Sequence, residues 1–165
     1  MSLRAIWRAV ALSLMVSAGA HSAQADTVHI PINQARAVAV QALANNNPDL
    51  AMQIALGLIQ KNPKDGFAYF IIANAQKALN NPALGRQAAG YAFRYAQTPV
   101  QKFEASQLAA RLSNDAKHYT RAQLWLRRSV RFAPSPQHLE IIKRDYAILR
   151  KLNPWDFRLR FSVSP

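Results

Sequence analysis

Residues 119–134, with the sequence YTRAQLWLRRSVRFAP, contain the pattern that decides the fold. In this stretch the small residue Ala122 is followed by Leu126 and Ser129 at helical spacing, and Pro134 ends the run. The same pattern occurs twice earlier in the chain, at residues 51–63 and 85–99. The prolines that end the three stretches stand 36 and 35 residues apart, which indicates a repeated unit of about that length.

A helix built on this pattern is apolar along one stripe only. Proline lacks the N–H that would continue a helix, so each proline closes a helix and begins a turn. The small residue lets a neighbouring helix approach closely, and the apolar residues that follow at helical spacing cover one face. Because a pair of such helices cannot bury that face alone, it must stack on the next pair. The repeat therefore predicts an all-α helical solenoid.

Turn residues divide the chain into three helix pairs and a last single helix. The Asn-Asn-Pro turns at residues 46–48 and 80–82 are 34 residues apart, with Asn47 a predicted N-cap and Pro48 the first helical residue. The third turn is predicted at residues 113–115. The expected helices are 33–44, 50–60, 67–79, 83–95, 100–112, 121–132 and 136–152. The last helix caps the stack, and its apolar positions share one face: Leu139, Ile142, Tyr146 and Leu149.

Residues 1–25 have the organisation of a secretory signal peptide. Arg4 and Arg8 precede a short apolar segment, and Ala23-Gln24-Ala25 places small residues at the two positions that signal peptidase reads. The apolar run is about 12 residues long, whereas a bilayer-spanning helix needs about 20. We therefore predict cleavage between Ala25 and Asp26, export to the periplasm, and a mature helical domain over residues 26–152.

The formal net charge of +13 is unevenly placed. Residues 26–100 carry six Lys and Arg against three Asp and Glu, whereas residues 101–165 carry thirteen against five. Excess basic charge favours acidic partners such as nucleic acid, anionic lipid headgroups or acidic chains, although it also serves simply to keep a surface solvated. The candidate basic patch comprises Arg121, Arg127, Arg128, Arg131, Lys143, Arg144, Arg150 and Lys151.

The chain offers little for catalysis. It has no cysteine and only five glycines, and neither a phosphate-binding loop nor a Ser–His–Asp arrangement can be proposed. His29, His118 and His138 stand singly, without the spacing of a zinc-binding helix, so turn and cap roles are expected for them. We predict no metal, no cofactor and no enzymatic activity.

A helical solenoid presents a groove lined by the first helix of each unit. Four polar residues are candidates to face that groove and hydrogen-bond an extended peptide: Asn74, Gln76, Lys77 and Arg111. The alternative is that they are ordinary exposed polar residues.

The repeat resembles the tetratricopeptide family over residues 33–134. Tyr69, Ile72 and Ala73 match the large, aliphatic and small positions of that family's first helix. Its second-helix small position and its closing proline are matched by Ala51, Gly85 and Ala122, and by Pro63 and Pro134. The resemblance implies a right-handed solenoid that binds proteins.

The last residues have a different period. After Asn153-Pro154-Trp155, the residues Phe157, Leu159, Phe161 and Val163 alternate with polar ones, which is typical of a β-strand. The arrangement resembles the surface lipoprotein assembly modifier (Slam-type) family, in which a periplasmic tetratricopeptide domain precedes an outer-membrane β-barrel. Since a barrel needs at least eight strands, the resemblance implies a truncated or split member, with residues 153–165 as an extended tail like a first barrel strand.

These observations favour a non-enzymatic periplasmic interaction module that assists export or assembly of proteins at the outer membrane. Its expected partner is a protein client, with anionic outer-membrane lipid or a β-barrel as further candidates. A tetratricopeptide scaffold for polysaccharide export is the alternative. A nucleic-acid binder, suggested by the pI of about 11.0, is disfavoured by the signal peptide, so no nucleic-acid partner is expected.

Overall fold

A computed structural model describes residues 31–153, which are helical almost throughout and contain no strand. The predicted signal peptide, its cleavage site at Ala25 and Asp26, and the strand-like tail beyond Asn153 lie outside the described residues. The helices are α1 (Ile32–Ala44), α2 (Pro48–Lys61), α3 (Gly66–Ala78), α4 (Pro82–Tyr95), α5 (Pro99–Asp115), α6 (Tyr119–Ser129) and α7 (Pro136–Leu152). A 3-10 turn, Val130–Phe132, follows α6. The all-α prediction is confirmed for this range.

The helices stack in chain order. Each helix packs against the next one, and the first helices of successive pairs also touch, α1 with α3 and α3 with α5. This pattern of neighbour contacts is that of a solenoid, in which each unit buries its apolar face on the unit beside it. In the described part of the chain, no helix is both long and apolar enough to cross a membrane.

The core consists mainly of small residues, as the repeated pattern predicts. The nine inner positions of the repeated pattern, three in each helix pair, are all buried: Ala51, Ala55, Leu58, Gly85, Ala89, Ala92, Ala122, Leu126 and Ser129. At Gly85 an added Cβ would lie 3.0 Å from Cδ2 of Leu112 and 3.1 Å from the carbonyl oxygen of Ala73. A side chain at this position would therefore press on both α3 and α5, and close helix packing explains the glycine.

The three helix pairs turn with the same backbone motif. Asn46, Asn80 and Lys117 have φ values of 54°, 56° and 58°, in the left-handed region. The residue that follows each of these three donates its backbone N–H to the carbonyl of the residue five positions before it. Asn47, for example, donates to the Ala42 carbonyl at 2.8 Å. This is the Schellman arrangement that satisfies the last carbonyls of a helix. The side chain of Asn47 also accepts from the Leu50 N–H at 3.2 Å, which confirms the predicted N-cap.

The predicted position of the third turn is wrong. Helix α5 continues to Asp115, and the turn lies at Ala116–His118. Ser113 does not break the helix because its buried hydroxyl donates to the Ala109 carbonyl at 2.6 Å, within the helix itself.

The role predicted for Pro99 is also corrected. Instead of closing α4, it occupies the first turn of α5. Thr98 and Gln101 form a reciprocal capping box there, which fixes the start of that helix.

Helix α7 closes the array as expected. Ile142 and Leu149 are buried against α6, and Leu139 and Tyr146 pack beside them. The predicted apolar face of this helix is thus confirmed, and it covers the last repeated pair.

Candidate functional site

The main candidate site is a groove of about 650 Å³ bounded by α3, α5, α6 and α7, here called the α5–α7 groove. Its apolar wall is formed by Phe70, Phe103, Leu126, Ile141, Ile148 and Leu152. Its polar rim includes Glu104, Gln107, Arg111, Asn114 and Asp145. The groove therefore combines an apolar floor with hydrogen-bonding groups of both kinds and charges of both signs.

Helix α7 supplies the exposed apolar side of the groove. Ile141, Ile148 and Leu152 recur at intervals of seven and four residues, which places them on one face. Each has about half of its surface exposed, whereas the neighbouring Ile142 and Leu149 are buried. The helix thus carries two apolar rows, one packed against α6 and the other bare.

Hydrogen bonds fix the side chains that shape the groove. The Gln107 side-chain amide donates to Oγ of Ser129 at 2.9 Å, and that hydroxyl donates to the Leu126 carbonyl at 2.7 Å. Nδ1 of His138 lies 2.8 Å from Oγ of Ser135, and its ring meets Phe103 edge-on at 5.2 Å. These contacts connect α5 to α6 and α7 and so hold in place three of the helices that line the groove.

The four polar residues predicted to face a groove lie in different surroundings. Arg111 is exposed and lines the α5–α7 groove. The Asn74 amide donates to the Phe70 carbonyl at 2.9 Å, within its own helix. Nε2 of Gln76 contacts Sδ of Met52 at 3.2 Å, between α3 and α2, and Lys77 is exposed near the end of α3.

Sequence reasoning missed the apolar half of the groove. It sought polar residues on first helices, whereas the larger contribution comes from aliphatic residues on the last helix. The second apolar row of α7 is visible in the sequence as Ile141 and Ile148, seven residues apart. Phe70 and Phe103 gave no such signal, because only the packing of α3 beside α5 brings them together.

The predicted basic patch is divided between two helices with different surroundings. On α7, Nζ of Lys143 pairs with Glu140 at 2.7 Å, and Arg144 lies 3.6 Å from Asp145. Arg150 and Lys151 are exposed in the last turn of that helix, where positive charge complements the helix dipole. The α7 half therefore includes two carboxylates beside its cations.

In the α6 half, Arg128 lies against two aromatic rings. The Arg128 guanidinium lies 4.9 Å from the ring centroid of Trp125 and 5.4 Å from that of Phe93. Arg127 and Arg131 are also exposed. Arg121 lies nearer the start of α6. The pKa of Arg86 is lowered from its ordinary value, mainly by burial and to a smaller extent by the positive charge of Arg121.

A second, more open cleft of about 820 Å³ lies where α4, the start of α5, α6 and the 3-10 turn meet. We call it the aromatic–basic cleft. Its lining includes four aromatic and four cationic residues: Tyr91, Phe93, Trp125, Phe132, Arg94, Lys102, Arg128 and Arg131. The sequence did not predict this cleft, because its members come from separate helices.

Among residues 31–153, no three His, Asp or Glu side chains lie close enough together to hold a metal ion. No protein-family model matches the sequence, and no curated protein is significantly similar to it. Any functional interpretation therefore depends on the groove and the cleft themselves.

Proposed function

We propose that this protein is a non-enzymatic interaction module that holds a segment of a client protein in the α5–α7 groove. The observation that carries the proposal is the bare aliphatic row of α7, which faces two phenylalanines across about 650 Å³ of space. Ligand sites are typically concave and mostly apolar, with a few polar groups that fix orientation. The α5–α7 groove has that composition.

The rim determines what kind of segment fits. Gln107 and Asn114 offer amide groups to a peptide backbone, while the wall accepts apolar side chains. Arg111 and the carboxylates of Glu104 and Asp145 offer opposite charges, which would orient the segment. We propose a client segment with apolar anchors at intervals, flanked by charged residues.

The place of action is proposed from the two ends of the sequence. The signal-like residues 1–25 favour export, and the Slam-type resemblance of the tail favours a role in export or assembly of proteins at the outer membrane. The tetratricopeptide-like repeats agree with this role, because right-handed solenoids of that family bind proteins.

The test selects peptides from a random displayed library on the purified protein and compares two variants. Ile148→Glu places a charge in the groove, and we expect at least a tenfold loss of affinity because a carboxylate would be buried among apolar groups. Leu84→Glu is the matched control, since Leu84 and Ile148 are 53% and 51% exposed and only Ile148 lines the groove. Circular dichroism verifies that both variants stay folded.

The proposal fails if selected peptides bind both variants as well as the unaltered protein. Equal losses in the two variants would also contradict it, because the binding surface would then lie elsewhere.

A further inference from the structure

We propose that the face of α4, α6 and the 3-10 turn that carries the aromatic–basic cleft docks on the surface of an anionic phospholipid bilayer. This inference goes beyond the proposed function, because it concerns the second helices of the pairs and does not use the α5–α7 groove. It assigns the cleft to phospholipid headgroups and the residues around it to the adjoining apolar layer.

The cations of the cleft are held in place by rings. Arg128 stacks on Trp125 and Phe93, and Nζ of Lys102 lies 5.5 Å from the ring centroid of Phe132. A cation on a ring face keeps its N–H groups available, whereas one paired with a carboxylate has already used them. Within residues 31–153, the lining of this cleft includes no Asp or Glu. Its charge is therefore complementary to an external anion.

Apolar side chains beside the cleft favour a bilayer over other anionic partners. Leu124 lies one helical turn before Arg128, which makes the two neighbours on the surface of α6, and Tyr91 lines the cleft itself. Both side chains are exposed, Leu124 to 58% and Tyr91 to 46%. Nucleic acid or an acidic peptide would engage the cations but would leave the aliphatic side chain of Leu124 in water. A surface that mixes basic and aliphatic or aromatic residues is typical of helices that lie in a lipid interface.

The test measures co-sedimentation of the processed chain, residues 26–165, with phosphatidylcholine vesicles that contain or lack phosphatidylglycerol. We expect binding to the anionic vesicles only, and a decline as salt shortens the Debye length. The double variant Arg128→Gln/Arg131→Gln should lower the partition coefficient roughly 25-fold, at about fivefold for each charge. Leu124→Ser should also weaken binding while leaving its dependence on phosphatidylglycerol unchanged.

The matched control removes the same charge elsewhere. Lys61→Gln/Lys64→Gln alters two exposed cations near the end of α2, outside the cleft, and we expect less than a threefold change by comparison with the per-charge value for a docked face. An equal loss in both double variants would reduce the effect to net charge and overturn the proposal. Displacement from the vesicles by single-stranded DNA or polyglutamate at low concentration would overturn it as well, because the face would then prefer a different anion.

Discussion

Single residues set the geometry of each helix pair. Asn46 and Asn80 occupy the left-handed position of the first two turns, and Lys117 occupies it in the third. Every residue with a Cβ meets a steric cost in this conformation; the short side chain of asparagine can offset it by hydrogen-bonding locally, whereas that of lysine cannot. The third turn is therefore the strained one.

Lys117→Asn should raise the free energy of unfolding by about 0.5–1 kcal/mol, because the asparagine side chain can offset that steric cost by hydrogen-bonding locally. Urea denaturation followed by circular dichroism measures the change. The reciprocal variant Asn80→Lys should lower the free energy of unfolding by a similar amount. If both substitutions were neutral, the backbone strain would be negligible at these turns.

Asp65 joins the first two helix pairs and was not anticipated from the sequence. Its Oδ1 accepts from the N–H groups of Phe67 and Ala68 at 3.0 and 3.2 Å, so it caps α3. Its Oδ2 pairs with Arg36 of α1 at 2.7 Å. The carboxylate is nearly buried, whereas the Arg36 side chain is partly exposed, so solvent screens the ion pair in part.

Asp65→Ala should lower the free energy of unfolding by about 2–3 kcal/mol, since it removes the cap and leaves Arg36 without its carboxylate. Asp65→Asn keeps the capping oxygen and should cost about half as much. Thermal and chemical denaturation of the two variants would separate these contributions. Equal losses in both variants would mean that the ion pair, and not the cap, stabilises this junction.

At the scale of the helices, the ends of the array differ from its centre. Helices α3, α4 and α5 have packed neighbours on both sides, whereas α1 packs on α2 and α3, and α7 principally on α6. In a stacked array, stability is a sum of units and their neighbour interfaces, so elements with fewer interfaces open more easily.

Amide hydrogen exchange should therefore be slowest in α3 to α5 and faster by about tenfold or more in α1 and α7. Mass spectrometry of peptic fragments after deuteration measures this order. Uniform protection across all helices would instead indicate one cooperative unit, in which the terminal helices open only with the whole array.

For the whole molecule, local signals predicted most of the helices. Proline and asparagine turns, and small residues such as Ala51 and Ala122, act within one helix pair, so the sequence alone identifies them. The third turn was misplaced because it lacks the Asn-Asn-Pro sequence and because Ser113 is satisfied inside α5.

Contacts between residues far apart in the sequence could not be predicted in this way. Phe93 and Lys102 belong to different helices from Trp125 and line the same cleft only because α4, α5 and α6 pack together. Within its own helix, each of these residues belongs to no pattern that would indicate a cleft. Half of the α5–α7 groove could have been predicted, because the exposed apolar row of α7 has a helical period. The two phenylalanines that line the groove opposite this row have no such period.

Export is a prediction about the whole chain. When the gene is expressed with its own start in a bacterium with two membranes, mass spectrometry of the periplasmic fraction should find Asp26 as the first residue, because Ala23 and Ala25 suit signal peptidase. A protein that retains Met1 in the cytoplasm would exclude the proposed periplasmic role. It would leave the peptide-binding and bilayer tests unaffected, since those concern the folded helices.

Leu152 is both the last residue of α7 and part of the wall of the α5–α7 groove. The polypeptide that continues after it must consequently set out from the edge of the groove. A client segment held in the groove would lie beside the end of α7. Under the proposed function, binding in the groove would therefore bring the client close to the point where the chain leaves the helical array.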